Sequence, residues 1–149
     1  MIRRARPGDE GGVWPLARDL TTSFTLQRSA FDATWERLVV APHTLLVVAE
    51  TAGGDIVGYL LATSHSTFLA NGPVAWVERV MVGQAVRRSG VGRRLVEHAE
   101  EWARSTGAAY IALASRRAGP FHLALGYEDS AAFYRRTLSG PSTGGEAPR

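Results

Sequence analysis

Hydrophobic residues recur along the chain with two different periods, and the period switches at turn-forming residues. "MIRRARPGDE" predicts a short strand from Ile2 to Ala5 and then a turn, with Asp9 as the N-cap of a helix from about Glu10 to Asp19. Val13, Leu16 and Leu20 stand near helical spacing there. In "FDATWERLVVA", Phe31, Trp35 and Leu38 recur at intervals of four and three, which predicts a second helix ended by Pro42. "HTLLVVAE" and "DIVGYLLATS" are strand-like runs around the hairpin turn "TAGGD". A loop, "HSTFLANGP", leads to the strand "VAWVERVMV", a glycine-containing loop, and a helix from about Gly90 to Ser105. Val91, Leu95, Ala99 and Trp102 share one face of that helix, Arg94, Glu97 and Glu101 lie elsewhere, and Gly107 stops it. "AYIALAS" reads as a buried strand and "GPFHLALGY" as a brief helix with Pro120 at its start and Gly126 at its end. "SAAFYRRTL" reads as a last strand. The order strand, two helices, three strands, helix, strand, helix, strand predicts a mixed α/β sheet.

With 149 residues, 45% of them hydrophobic, the chain is long enough for one domain with its own core. Residues 1–138 form that expected domain, and the Gly- and Pro-rich tail at 139–149 is expected to be disordered. No apolar run approaches the roughly 20 residues that span a bilayer. The basic N-terminus has no apolar stretch behind it, so no secretory signal is expected. Cysteine is absent, which excludes disulfides, thiolate metal sites and a Cys nucleophile and fits a cytoplasmic protein. All 17 basic residues are arginine, and the net charge is +3. The arginines form no run interleaved with aromatics, so neither nucleic acid nor a membrane is an expected partner. The four histidines lack metal-ligand spacing, and no metal is expected.

The arginines do concentrate in "VMVGQAVRRSGVGRR", where a strand opens through spaced glycines into a helix. Unpartnered first-turn amides and the helix dipole make such a junction an anion site. "RRSGVG" has no Lys-Ser/Thr after its glycines, unlike a P-loop, and it is not G-x-G-x-x-G. Val82 to Gly92 reads V-x-x-x-x-R-x-x-G-x-G, and this resembles the acetyl-CoA-binding motif of the GNAT superfamily of N-acyltransferases. "FHLALGY" is similar to that family's F-Y-x-x-L-G-F/Y segment, and the element order matches over roughly residues 1–138. The resemblance implies a mixed, mostly antiparallel central sheet with helices on both faces. It also implies acetyl-CoA as cosubstrate, with its pyrophosphate on the amides of Arg87, Arg88, Ser89, Gly90, Val91 and Gly92. Gly90 and Gly92 would permit close approach, Arg87 matches the motif arginine, and Arg88 and Arg93 would help toward the phosphates. Val80 and Val82 would offer backbone groups to the pantetheine arm, and Ser115 is a further candidate for holding it.

Transfer of an acyl group to an amine requires a base for the amine proton and a donor for the leaving thiolate. Glu78 stands four residues before Val82, where many members of the family carry a carboxylate, and strict alternation would put it on one face with Trp76 and Val80. A salt bridge to an arginine is its other reading. At the donor position the chain departs from the family pattern: His122 occupies the place of the usual tyrosine. Tyr127 and Tyr134 could supply a phenol instead, but their expected strand positions favour core packing for both. Trp14, Phe31 and Trp35 also read as core, although in the family that region and the loop from His65 to Pro73 shape the acceptor site. The resemblance implies an enzyme, an N-acetyltransferase moving the acetyl group to a primary amine by direct attack in a ternary complex; a non-catalytic acyl-CoA-binding or sensing domain is the alternative. Family members are often dimers, and "SAAFYRRTL" is a segment that could pair across subunits.

Overall fold

A computed structural model of the chain describes residues 1–20, 24–115 and 118–139. Its strands are β1 (Ile2–Arg4), β2 (Thr44–Glu50), β3 (Ile56–His65), β4 (Val74–Val82) and β5 (Ile111–Leu113). Its helices are α1 (Glu10–Leu20), α2 (Arg28–Leu38), α3 (Val91–Ser105) and α4 (Gly119–Ala124). The strands form one sheet in the order β1-β2-β3-β4-β5, antiparallel except for the parallel pair β4–β5. Apart from Ser139, the tail expected to be disordered lies outside the described residues.

Alternation along the strands sends side chains into two cores, one on each face of the sheet. Leu45, Val47, Leu60 and Val77 meet Val91, Leu95, Val96 and Ala99 of α3 on one face. On the other, Leu46, Val48 and Tyr59 meet Val13 of α1 and Trp35 of α2. Of the expected α3 stripe, Val91, Leu95 and Ala99 are buried and Trp102 is partly buried against the same core; Val96 and Ala103 are buried as well. α3 can lie this close because β3 carries Gly58. A Cβ there would sit 3.0 Å from the Met81 carbonyl oxygen and 3.2 Å from Leu95 Cδ1.

The edge next to β1 is fastened by charge. Arg3 donates to both carboxylate oxygens of Asp9 (2.8 and 2.9 Å) and to Glu50 Oε2 (2.9 Å), tying β1, β2 and the start of α1 together. Asp9 stands before α1 as expected, but its carboxylate accepts the Arg6 amide at 2.7 Å and the Arg3 guanidinium. These bonds hold the Asp9 and Glu50 carboxyls below their ordinary range.

Two expectations are corrected at the opposite edge. β5 is only three residues long, shorter than the run "AYIALAS" suggested. The segment read as a last strand, "SAAFYRRTL", has no regular secondary structure, and residues 128–139 are exposed throughout. Its β-forming composition is in place, but it has no ladder on the free edge of β5, and composition without a paired neighbour makes no strand. Tyr134, expected in the core, is 89% exposed for the same reason.

Candidate active site

The glycine loop is built by two backbone reversals. The Gly83 amide donates to the Val57 carbonyl at 2.8 Å, which holds the end of β4 against β3, and a short 3-10 turn follows at Gln84–Val86. Arg87 is extended and its Nε donates back to the Val82 carbonyl at 3.2 Å. Arg88 then takes a left-handed conformation at φ 64°, the Ser89 hydroxyl donates to the Val86 carbonyl, and Gly90 caps α3 at φ 87°. No side chain caps this helix; its first loop bond is from the Arg94 amide to the Gly90 carbonyl at 3.1 Å. The amides of Val91, Gly92 and Arg93 are consequently left without intrahelical acceptors. Arg87, Arg88, Arg93 and Arg94 surround them, all exposed. An anion is the partner this loop fits.

The two glycines have different physical reasons. A Cβ on Gly90 would meet nothing within 4 Å, so its requirement is the left-handed φ, and the space beside it is open for a ligand. A Cβ on Gly92 would lie 3.2 Å from Phe121 Cζ and 3.6 Å from Val82 Cγ2. Gly92 is thus small so that α4 can pack on the start of α3. The role of Phe121 was not read from the sequence, although it stands in the quoted "FHLALGY".

β4 continues past the end of its partner. Its parallel ladder with β5 covers Ala75–Val77 against Ile111–Leu113, whereas its ladder with β3 continues to Val82. From Glu78 to Val82 the edge of β4 facing β5 has no strand beside it. Val80 and Val82 turn their side chains under α3, so backbone is what they can present to this gap.

Glu78 sits at the mouth of the gap because β4 is bulged there. Arg79 pairs with Leu61 and Val77 with Ala62, leaving Glu78 as the extra residue. Val77 and Val80 consequently both face α3, which strict alternation forbids, and the expected grouping of Glu78 with Val80 on one face is corrected. Glu78 is exposed and makes no ion pair among the described residues.

His122 is 6% exposed, and its Nδ1 is buried with no hydrogen-bond partner. Its ring stands edge-on to Phe121 at 5.1 Å and to Tyr127 at 5.9 Å. Burial among these rings lowers its pKa from the ordinary 6.5, so the imidazole is neutral at pH 7. Tyr127 is fixed in turn by its hydroxyl donating to Glu100 of α3 at 2.9 Å, and burial together with that carboxylate raises its pKa. Phe121 of α4 thus packs at the start of α3, and Tyr127, just past α4, is tied to the second half of α3. His122 lines an open cleft of ≈ 890 Å³ along the outer side of β5, together with Trp76, Ser115 and Tyr127. The Ser115 hydroxyl accepts the Ala118 amide at 2.9 Å and so shapes the entry to α4.

The remaining candidates are mostly structural. Phe31 lies edge-on to Trp14 (5.3 Å) and tilted against Trp35 (5.9 Å), and Arg28 lies over Trp14 at 5.5 Å. In the loop from His65 to Pro73, Phe68 and Leu69 are fully exposed. Among the described residues no three His, Asp or Glu side chains gather as metal ligands, and no helix is long and apolar enough to cross a membrane.

Comparison with known proteins agrees with this geometry. Residues 13–127 match the model of the acetyltransferase (GNAT) family. An aminoglycoside N(6')-acetyltransferase type 1 of Serratia marcescens is 27% identical over 115 residues, covering 71% of this chain and 79% of that protein. A transcriptional regulator of Bacillus halodurans superposes with a TM-score of 0.81 at 26% identity, covering 93% of this chain and 99% of its own. The glucosamine-6-phosphate N-acetyltransferase of Arabidopsis thaliana has the same fold, with a TM-score of 0.81 at 20% identity over 93% of this chain and 98% of its own. A family match running from Val13 in α1 to Tyr127 beyond α4, over the sheet and loop just described, means that this chain belongs to the acetyltransferase (GNAT) family and is an acyltransferase.

Proposed function

We propose that the protein is an N-acetyltransferase that transfers the acetyl group of acetyl-CoA directly to a primary amine within a ternary complex. The observation that carries this reading is the continuity of one path: uncapped amides at the start of α3, then the unpartnered edge of β4, then Glu78 at the bulge. The pyrophosphate would rest on the amides from Arg88 to Gly92, the Arg87 amide being taken by the Gln84 carbonyl at 3.3 Å, with Arg87, Arg88 and Arg93 supplying charge, and the pantetheine arm would follow Val80 and Val82. Ser115, two residues beyond the end of β5, is proposed to position that arm through its hydroxyl proton.

In the reaction the amine nitrogen attacks the thioester carbon, the carbon–sulfur bond breaks, and the amine proton leaves to the Glu78 carboxylate directly or through water. The sulfur departs as a thiolate. His122, being neutral, is proposed to serve it as a hydrogen-bond donor through its ring N–H. Residues 1–138 would work as one catalytic domain in a cytoplasmic setting, with which the absence of cysteine is compatible.

Thiol release from acetyl-CoA across a panel of amines tests the reading. Aminoglycosides belong in that panel because of the named activity of the Serratia relative. Turnover is expected with at least one amine, and Gly90→Glu is expected to abolish acetyl-CoA binding in a folded protein. Its side chain would enter the open space beside the loop and carry the same sign as the pyrophosphate. Unchanged acetyl-CoA affinity in that variant by calorimetry would remove the loop assignment; tight binding with no turnover on any amine would favour an acyl-CoA sensor.

A further inference from the structure

The bulge in β4 moves a second charge besides Glu78. A regular strand sends neighbouring side chains to opposite faces of its sheet. Here Val77 and Val80 both face α3, so the two residues between them, Glu78 and Arg79, both fall on the other face, toward α1 and α2. Cross-strand pairing agrees. Arg79 stands opposite Leu61, and Leu61 packs into the core formed by Val13, Trp35 and Tyr59 on that face. A carboxylate and a guanidinium, carried on Cα atoms about 3.8 Å apart, are thus set side by side where the β4–β5 ladder has ended.

Neither charge is used within the chain. Both residues are exposed, and neither forms an ion pair among the described residues, with the other or elsewhere. Arg79 lies close enough to the buried Tyr59 for its charge to counter part of the rise that burial gives that phenol's pKa. Trp35, in the same core as Tyr59, is 5% exposed, and its Nε1 has no hydrogen-bond partner. Donors therefore predominate beside Glu78. The acids of α1 and α2 are mostly occupied: Asp19 pairs with Arg18, Asp32 pairs with Arg28, and Glu10 accepts the Gly8 amide, which leaves Glu36. A polycationic amine requires several free carboxylates. One free carboxylate next to one free guanidinium suits a single ammonium joined closely to a single carboxylate, which a guanidinium grips through two parallel hydrogen bonds.

We infer that the acceptor is an α-amino acid, with its amine nitrogen at Glu78 and its carboxylate on Arg79, so that Arg79 sets the specificity. This rests on the acetyltransferase reading and on Glu78 as its base. Steady-state thiol release from acetyl-CoA tests it on a set of α-amino acids, each compared with its own primary amide, and on aminoglycosides. At least one amino acid should be acetylated with a kcat/KM at least about tenfold above that of its amide, the difference residing in KM. Arg79→Gln should raise KM for the acid and bring the ratio of acid to amide close to one. Arg79→Lys keeps the charge without the two-pronged grip and should retain part of the preference. Amides accepted as well as acids would overturn the inference, and so would a preference for the acid that survives Arg79→Gln. Turnover confined to aminoglycosides would overturn it too, while leaving the acetyltransferase reading in place. Acetyl-CoA bound with no turnover on any amine would remove both.

Discussion

His122 is buried with an unpartnered Nδ1, and its pKa lies below the ordinary 6.5, which narrows the chemistry open to it. A neutral imidazole can donate a hydrogen bond to a thiolate at neutral pH but is seldom protonated enough to transfer a proton. His122→Ala should therefore slow acetyl transfer moderately, since a thiol of pKa near 8.5 departs without obligatory acid help. His122→Tyr should recover much of the rate, because a phenol donates equally well. Parent and Tyr variant should share one pH dependence above about pH 6.5, where both donors are already neutral. A parent rate that falls as pH rises through neutrality, with a Tyr variant that does not, would show proton transfer instead. Glu78→Gln removes the proposed base while keeping the bulge, so turnover should drop roughly 10²–10⁴-fold with acetyl-CoA affinity nearly unchanged. Full activity in that variant would assign Glu78 to solvent.

At the scale of elements, the anion loop is held in position by the contact of α3 with β3. Gly58 decides how closely they meet, since an added Cβ would press on the Met81 carbonyl, Leu95 and Val91 at 3.0, 3.2 and 3.4 Å. Backbone cannot yield as a side-chain tip can. Gly58→Val should cost about 1–3 kcal/mol in chemical denaturation, the usual range for overpacking. It should also weaken acetyl-CoA binding, although Gly58 lies outside the loop, because the start of α3 is lifted from the sheet. Lost stability with unaltered affinity would mean that the loop keeps its geometry independently of helix docking.

For the whole molecule, acid should unfold the protein in two stages of different origin. Burial disfavours the His122 imidazolium, so below pH 6.5 the unfolded chain takes up this proton first and stability begins to fall. Asp9 and Glu50 behave as bound carboxylates, held by Arg3 below their ordinary 3.8 and 4.5. The stability they contribute is complete above those unfolded values and is lost as pH falls beneath them. Urea midpoints followed from neutral to about pH 3 should show both stages. His122→Gln should remove the upper one and Arg3→Leu the lower. A single stage that neither variant alters would place the titrating groups elsewhere.

The amino-acid sequence by itself determined what depends on neighbours along the chain. The β2–β3 hairpin, the buried stripe of α3 and the glycine–arginine loop were legible because period, caps and turn residues act within a few positions. The motif from Val82 to Gly92 and the segment "FHLALGY" were local for the same reason, and they carried the family. Only the tertiary structure decided what depends on partners distant in sequence. The bulge that frees Glu78 exists because β4 adds one residue against β3, and alternation within β4 cannot show it. Gly92 is small on account of Phe121, and His122 is buried because Tyr127 is tied to Glu100, contacts that span tens of residues. "SAAFYRRTL" has the composition of a strand, but a strand also needs an edge to pair with, and pairing is a property of the assembled sheet.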